Sequence, residues 1–389
     1  MQNIKQDRMF IFLAIMSIAS TVGLQAWRTL FNNFAVEVAG LGGDHIGMIQ
    51  SVREIPGFLA LLVVFVTLVI REHRLSALSI SVLGLGVAIT GLFPSYMGLI
   101  FTTLLMSFGF HYFETTNQSL TLQYFDKHTS PWVMGKLRSY SSAAAIMIGI
   151  IILVLSSFLS YEAMFGILGS LIIGVGIWGA LQNPTRADTV PQHKKMILRK
   201  RYSLYYFLTL MAGARRQIFV AFAVFLLVEK FHFSIKEITL LFMLNNAINY
   251  FLSPLIGKAI IRFGEQKVLS VEYLSLIFIF IAYATVDSKL IIAVMYILDH
   301  IFFNFSMGIR TFFQKIGNPK HMAPTMAVGF TINHIAAVVI PVLGGLAWIV
   351  DYRIPFFAGA GMSLISLFAV QFISRSIQRA ELKSQIDGT

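Results

Sequence analysis

Apolar residues fill this chain in long unbroken runs, unlike the alternation of a half-buried strand or the single stripe of a surface helix. Leu59–Ile70 and Ala143–Leu155 are such runs, and glycine, proline and charged residues mark the breaks between them. A helix needs about 20 mostly apolar residues to cross a bilayer. Cut at its turn and charge signals, the chain yields twelve segments of that size. They are 9–39, 45–70, 75–93, 96–125, 133–158 and 162–181, then 204–230, 235–261, 267–286, 289–315, 322–349 and 354–374. Only the connection 182–203 is long, and it holds Pro184, Pro191 and a basic cluster. The pattern predicts an all-α integral membrane fold: an N-terminal six-helix bundle over 1–181, a cytoplasmic basic linker over 182–203, a C-terminal six-helix bundle over 204–376 and a cytoplasmic tail over 377–389.

Composition sharpens that reading. The chain is 57% hydrophobic and 12% charged, with a mean hydropathy of +0.75. Soluble domains carry about 25% charged residues, so most of this exterior is expected to face lipid. The net charge of +12 raises the question of nucleic acid, but the basic residues sit in alternate connections. Lys5 and Arg8 open the chain, Arg186, Lys194, Lys195, Arg199, Lys200 and Arg201 fill the central connection, and Arg375, Arg379 and Lys383 follow the last segment. That asymmetry is the positive-inside signal, placing both termini and the linker in the cytoplasm of a multi-pass inner-membrane protein. Membrane lipids are its expected surroundings, anionic lipid near the linker included, and nucleic acid is not an expected partner. There is no cysteine, which excludes disulfides and thiolate metal sites. The first apolar stretch follows Lys5 and Arg8 as in a signal peptide, but it runs past Trp27 without a small-residue cleavage site, so a retained helix is expected.

The two halves repeat each other. Trp27-Arg28-Thr29-Leu30-Phe31 aligns with Arg215-Arg216-Gln217-Ile218-Phe219 at an offset of 188, and His111-Tyr112-Phe113 aligns with His300-Ile301-Phe302 at 189. Two parallel six-helix repeats related by a pseudo-twofold axis are a secondary-transporter architecture. Between the eighth and ninth segments lies Gly257-Lys258-Ala259-Ile260-Ile261-Arg262-Phe263-Gly264, and the eleventh contains Pro341-Val342-Leu343-Gly344-Gly345. With these motifs the chain resembles the major facilitator superfamily over essentially its whole length. The connection Arg71-Glu72-His73-Arg74 departs from the family pattern in lacking glycine and aspartate. The resemblance implies that the third, sixth, ninth and twelfth segments face lipid and the other eight line a central cavity. It also implies gating roles for Gly257, Arg262 and Pro341.

Charges placed deep in apolar segments are the functional signal, because each costs at least about 2.5–3.5 kcal/mol on insertion scales. They are Arg28, Arg53, Glu54, His111 and Glu114 in the first half, and Arg215, Arg216, Asp299, His300, Arg310 and His334 in the second. None falls on the four segments expected to face lipid; Glu272, on the ninth, is read as near its cytoplasmic end. Five arginines stand against three carboxylates, and arginine suits carboxylate or phosphate groups. Arg28 and Arg216 are therefore expected to bind an anionic part of a substrate, or else to pair with Glu54, Glu114 or Asp299 as structural bridges. Arg53 beside Glu54 reads as an ion pair near the outer end, and Arg310 as a residue reaching towards the cytoplasm; both are assigned to gating. His111 and Glu114 share a helix face, and Asp299 and His300 are neighbours. With Glu54, these groups are the candidates for proton coupling. Asn117, Asn245, Asn249 and Asn304 would orient a polar solute, with Trp27 and Tyr112 packing on its apolar part.

The expected function is a secondary active transporter moving a small polar, anionic or amphiphilic, organic solute by alternating access with proton coupling. It would act as a monomer without a cofactor, its partners a small-molecule substrate and H+. A divalent-metal transporter using His111, Glu114, Asp299, His300 and His334 is the alternative, and a membrane sensor or assembly factor on the same fold is a second. No Gly-x-Ser-x-Gly, His-Glu-x-x-His or phosphate-binding loop motif is present, so no enzyme is expected.

Overall fold

Long apolar segments leave their backbone only one economical way to satisfy its polar groups away from water, which is to coil into helices. In the computed structural model, which describes residues 3–41, 43–186, 198–233 and 235–386, they do so. Lys194 and Lys195 of the expected linker lie outside the described residues. Among the described residues there is no strand, and twelve helices are long and apolar enough to cross a membrane. They are α1 (Arg8–Glu37), α2 (Met48–Val66), α3 (Glu72–Thr90), α4 (Tyr96–Tyr124), α5 (Ser130–Leu155), α6 (Tyr161–Leu181), α7 (Lys200–Glu229), α8 (Leu240–Phe263), α9 (Glu265–Thr285), α10 (Lys289–Ile316), α11 (Pro319–Val350) and α12 (Arg353–Leu382). The all-α twelve-helix expectation is met.

The chain forms two compact units. One comprises 1–124, 137–197 and 320–331; the other comprises 125–136, 198–319 and 332–389. In the first unit, α3 packs between α4 and α6 through glycines. A Cβ on Gly109 of α4 would sit 2.5 Å from the Ser79 carbonyl oxygen, and one on Gly169 of α6 would sit 2.5 Å from Ala88 Cα. Such closeness lets backbones meet where lipid offers no hydrophobic drive.

The sequence predicts one continuous helix over 45–70, and here the structure differs. The segment is α-helical over Gly43–Val52, turns at Arg53 and Glu54, and resumes as short α and 3-10 pieces. Pro56, with no N–H to donate, helps to interrupt the ladder. Two neighbours attend to the interrupted backbone: Ser107 Oγ donates to the Arg53 carbonyl, and Leu61 N donates to Thr331 Oγ1 at 2.9 Å.

In the second unit an apolar cluster joins α7, α9, α10 and α12 around Phe219, Phe280, Tyr283, Tyr296 and Phe356. Gly257 of α8 lies directly against the Pro131 carbonyl oxygen. Ser130 Oγ donates to Gln314 Oε1 at 2.5 Å, and Gln314 Nε2 donates to the Phe125 carbonyl at 2.7 Å. Asp287, between α9 and α10, pairs with Lys230 at 2.5 Å. That hydrogen bond holds the Asp287 carboxyl below its ordinary value. A depressed folded-state value means stability present above the unfolded carboxylate range and lost as pH falls through the folded value. Asp287→Asn is expected to flatten this small acid-side loss in a thermal melt, leaving the neutral-pH melt nearly unchanged.

Candidate functional site

In the first unit, α1 sends Trp27 inward and Arg28 outward, as a step of about 100° requires. Trp27 is fully buried and stacks on Phe31 with centroids 4.3 Å apart. Arg28 is exposed, although it stands nine residues before the helix end, about 14 Å along the axis. Arg53 and Glu54 pair at 2.8 Å, both half-buried, and the Arg53 guanidinium lies 5.8 Å from the Trp27 ring. On α4, His111 is buried against Phe330, Glu114 is half-buried, and Tyr112 packs beside Val63, Val64, Leu75 and Ala327. Asn117 is half-buried, and its side-chain oxygen has no hydrogen-bond partner among the described residues.

The second unit carries two polar constellations. The first joins α8 to α10. Asn249 Nδ2 and His300 Nε2 are 2.7 Å apart, Asn304 Nδ2 donates to Asn249 Oδ1 at 2.6 Å, and it also donates to the His300 carbonyl at 2.9 Å. Asn304 begins a 3-10 turn, Asn304–Ser306, that interrupts α10, and the amide at the break ties it to α8. One turn before Asn249, Asn245 is buried, and among the described residues neither its amide nitrogen nor its oxygen makes a hydrogen bond. A buried amide without partners is costly, so this position calls for a ligand or a water.

The second constellation lies between α7, α9 and α10. Arg215 Nη2 stands 3.7 Å from Glu272 Oε1, with both side chains almost wholly buried, and its guanidinium lies 4.2 Å over the Tyr273 ring. Asp299, also buried, lines the same small cavity, together with Arg216, Phe219 and Phe303. Glu272 is thus not a shallow group near a helix end. It reaches the buried centre of the second unit, and sequence reasoning missed it by judging depth from distance to the nearest loop. Seven residues into α9, beside Tyr273, it is already about 11 Å from the helix start.

Other candidates lie on α7, α8, α10 and α11. Arg216 is half-buried, with Nη1 at 3.5 Å from Asn333 Oδ1, while Asn333 Nδ2 donates to the Thr209 carbonyl at 3.4 Å. His334, next to Asn333, is buried. Arg310 is half-buried with Tyr205 in its field. Arg262 is exposed over Phe263 at 5.2 Å, and Pro341 is half-buried within α11. Asp299 and His300, adjacent in sequence, serve different neighbours: one the Arg215 cavity, the other Asn249. Just beyond Arg215 and Arg216, α7 widens into a π-helical stretch, Ile218–Ala223. Such stretches are frequent at functional sites, and no residue pattern announced this one.

The family model described as Major Facilitator Superfamily matches residues 9–341. No curated protein matches the chain by sequence. Among solved structures, the human organic anion transporter MFSD10 (TETRAN) is 12% identical, with a TM-score of 0.75 over 93% of this chain and 99% of its own. A bacterial homologue of the iron transporter ferroportin, in an outward-facing state, is 12% identical with a TM-score of 0.74, covering 94% and 99%. The E. coli fucose:proton symporter FucP is 12% identical with a TM-score of 0.74, covering 94% and 98%. At such identity these likenesses establish the shared fold.

Proposed function

The chain belongs to the Major Facilitator Superfamily, and from that premise we propose that it is a secondary active transporter of a small, polar organic anion, driven by protons through alternating access. The observation that carries this reading is Arg28. A permanently charged guanidinium exposed well inside an apolar spanning helix is untenable against lipid, so this face of α1 is assigned to a water-filled path. Arg28 and its repeat partner Arg216 are assigned to the anionic group of the solute, which matches guanidinium geometry. The open amide of Asn245 and the Asn249–His300–Asn304 chain supply donors and acceptors for its neutral polar groups. The solved relatives transport an organic anion in one case and fucose with a proton in another, which fits both halves of the proposal. The basic connections support an assignment of both termini to the cytoplasm, and the protein is assigned as a monomer of the inner membrane without a cofactor. Within the alternative metal set, Asp299 and His300 turn to different neighbours.

A thermal-shift screen of the purified protein, with organic anions, neutral sugars and divalent metals at two pH values, tests the proposal. A ligand at 100 times its Kd stabilises by about 2.7 kcal/mol. An organic anion is expected to raise Tm, and Arg28→Ala and Arg216→Ala each to abolish the rise. Stabilisation by a divalent metal alone, lost in His300→Ala, would replace this reading with metal transport.

A further inference from the structure

The Arg215 pocket does not suit a solute. Its free volume is about 10 Å³, room for one water. Its lining joins two carboxyl groups, Glu272 and Asp299, to the Arg215 guanidinium, all of them nearly inaccessible. Among the described residues, Glu272 Oε2, Asp299 Oδ2 and both terminal nitrogens of Arg215 make no hydrogen bond. Four buried polar atoms thus line a space for one small occupant.

The balance of charge decides what that occupant is, and every helix around the pocket contributes to it. Helix α7 brings Arg215 and Arg216, but Arg216 is half-buried and directed to Asn333. Helix α9 brings Glu272, Tyr273 and Tyr283, and α10 brings Tyr296, Asp299 and His300, the last held by Asn249. Helix α11 contributes His334, next to Asn333; α8 has its cations, Lys258 and Arg262, exposed towards one end. Helix α12 has no titratable residue between Arg353 and Arg375. Arg215 is the guanidinium paired with Glu272 and is as deeply buried as the carboxyl groups, while Arg216, at the same cavity, is half-buried and bonds Asn333. A buried carboxylate in excess of its counter-charge neutralises instead of persisting.

We propose that Glu272 and Asp299 share one exchangeable proton over Arg215, making this small pocket the proton-carrying site of the second unit. The inference rests on the proton-coupled reading above and moves the carrier away from His300 and from the solute-binding amides. On loading, a carboxylate oxygen of the pair gains an O–H bond, leaving one carboxylate against one guanidinium. On release that bond breaks, the proton leaves with water, and two carboxylates then compete for Arg215. The resulting repulsion lies wholly among α7, α9 and α10, so proton occupancy is felt as a change of packing within one unit. Phe219 and the π-helical stretch adjoin the pocket, and they are where such a change would reach α7.

Infrared difference spectroscopy of the full-length protein, titrated with acid in sodium-free buffer, tests this without knowledge of the solute. The wild type is expected to show the carbonyl stretch of a protonated carboxyl group at neutral pH. Glu272→Gln and Asp299→Asn, each leaving a single carboxylate for Arg215, are each expected to lose it, while melting temperatures report that both variants are folded. Because the two substitutions are independent, one folded variant suffices. A band retained in a folded variant, or absent from the wild type throughout the titration, would overturn the proposal. So would a wild-type band erased by added sodium, which would make the pocket a cation site. Solute uptake into proteoliposomes under an imposed pH gradient is scored separately: uptake independent of the gradient sinks the proton-coupled reading, whereas a missing band beside gradient-driven uptake sinks only this placement.

Discussion

Arg215→Met is expected to destabilise the protein by about 3–5 kcal/mol, the cost of stripping one partner from a buried ion pair. The residue is the single guanidinium 3.7 Å from Glu272, and methionine keeps much of its length while removing its charge. The loss arises from what remains, because Glu272 and Asp299 would face each other with no cation between them. Adding Glu272→Gln to Arg215→Met is therefore expected to recover most of the loss, since it leaves fewer carboxyl groups to neutralise. Chemical or thermal denaturation of the two variants in the same detergent gives the comparison. A double variant no more stable than Arg215→Met would mean that Arg215 acts through packing on Tyr273, not through charge.

Gly169→Val is the second large effect, and its cause is steric. The new side chain would drive α6 from α3, because backbone and side-chain atoms of Ala88 occupy its space. Overpacking of this kind typically costs about 1–3 kcal/mol, and rigid backbone on the receiving side puts the expectation at about 3 kcal/mol. Gly166, three residues earlier on α6, faces open space, with no atom within 4 Å of where a Cβ would stand. Gly166→Val therefore shares the change in helix propensity without the clash, and is expected to melt close to the wild type. Equal melting of the two valine variants would show that α3 and α6 give way at little cost.

The spans were readable because a bilayer imposes a length and a polarity that composition cannot hide. Arg8–Glu37 and Tyr96–Tyr124 fall within two residues of the limits set by apolar runs alone. The break in α2 was not readable, because its polar backbone is attended to by Ser107 and Thr331, which are far away in sequence. Depth was misjudged for the same reason. Glu272 lies only seven residues into α9, yet it is buried at a cavity shared with α7 and α10. Asp299 and His300 read from sequence as one cluster, but adjacent residues on a helix point about 100° apart, and these two have separate neighbours. Arg28, Asn245, Asn249 and Asn304 were legible as polar residues in apolar surroundings; the bonds that tie Asn249, His300 and Asn304 into one chain were not.

The placement of Arg215 also bears on how the chain enters the membrane during synthesis. Glu272 is made 57 residues after it, which at about 5–20 residues per second is roughly 3–11 s later. During that interval α7 carries two consecutive arginines whose acidic neighbour has not yet left the ribosome, at an insertion penalty of about 2.5–3.5 kcal/mol for a central arginine. Helix α7 thus gains the full benefit of its buried ion pair only when α9 and α10 arrive.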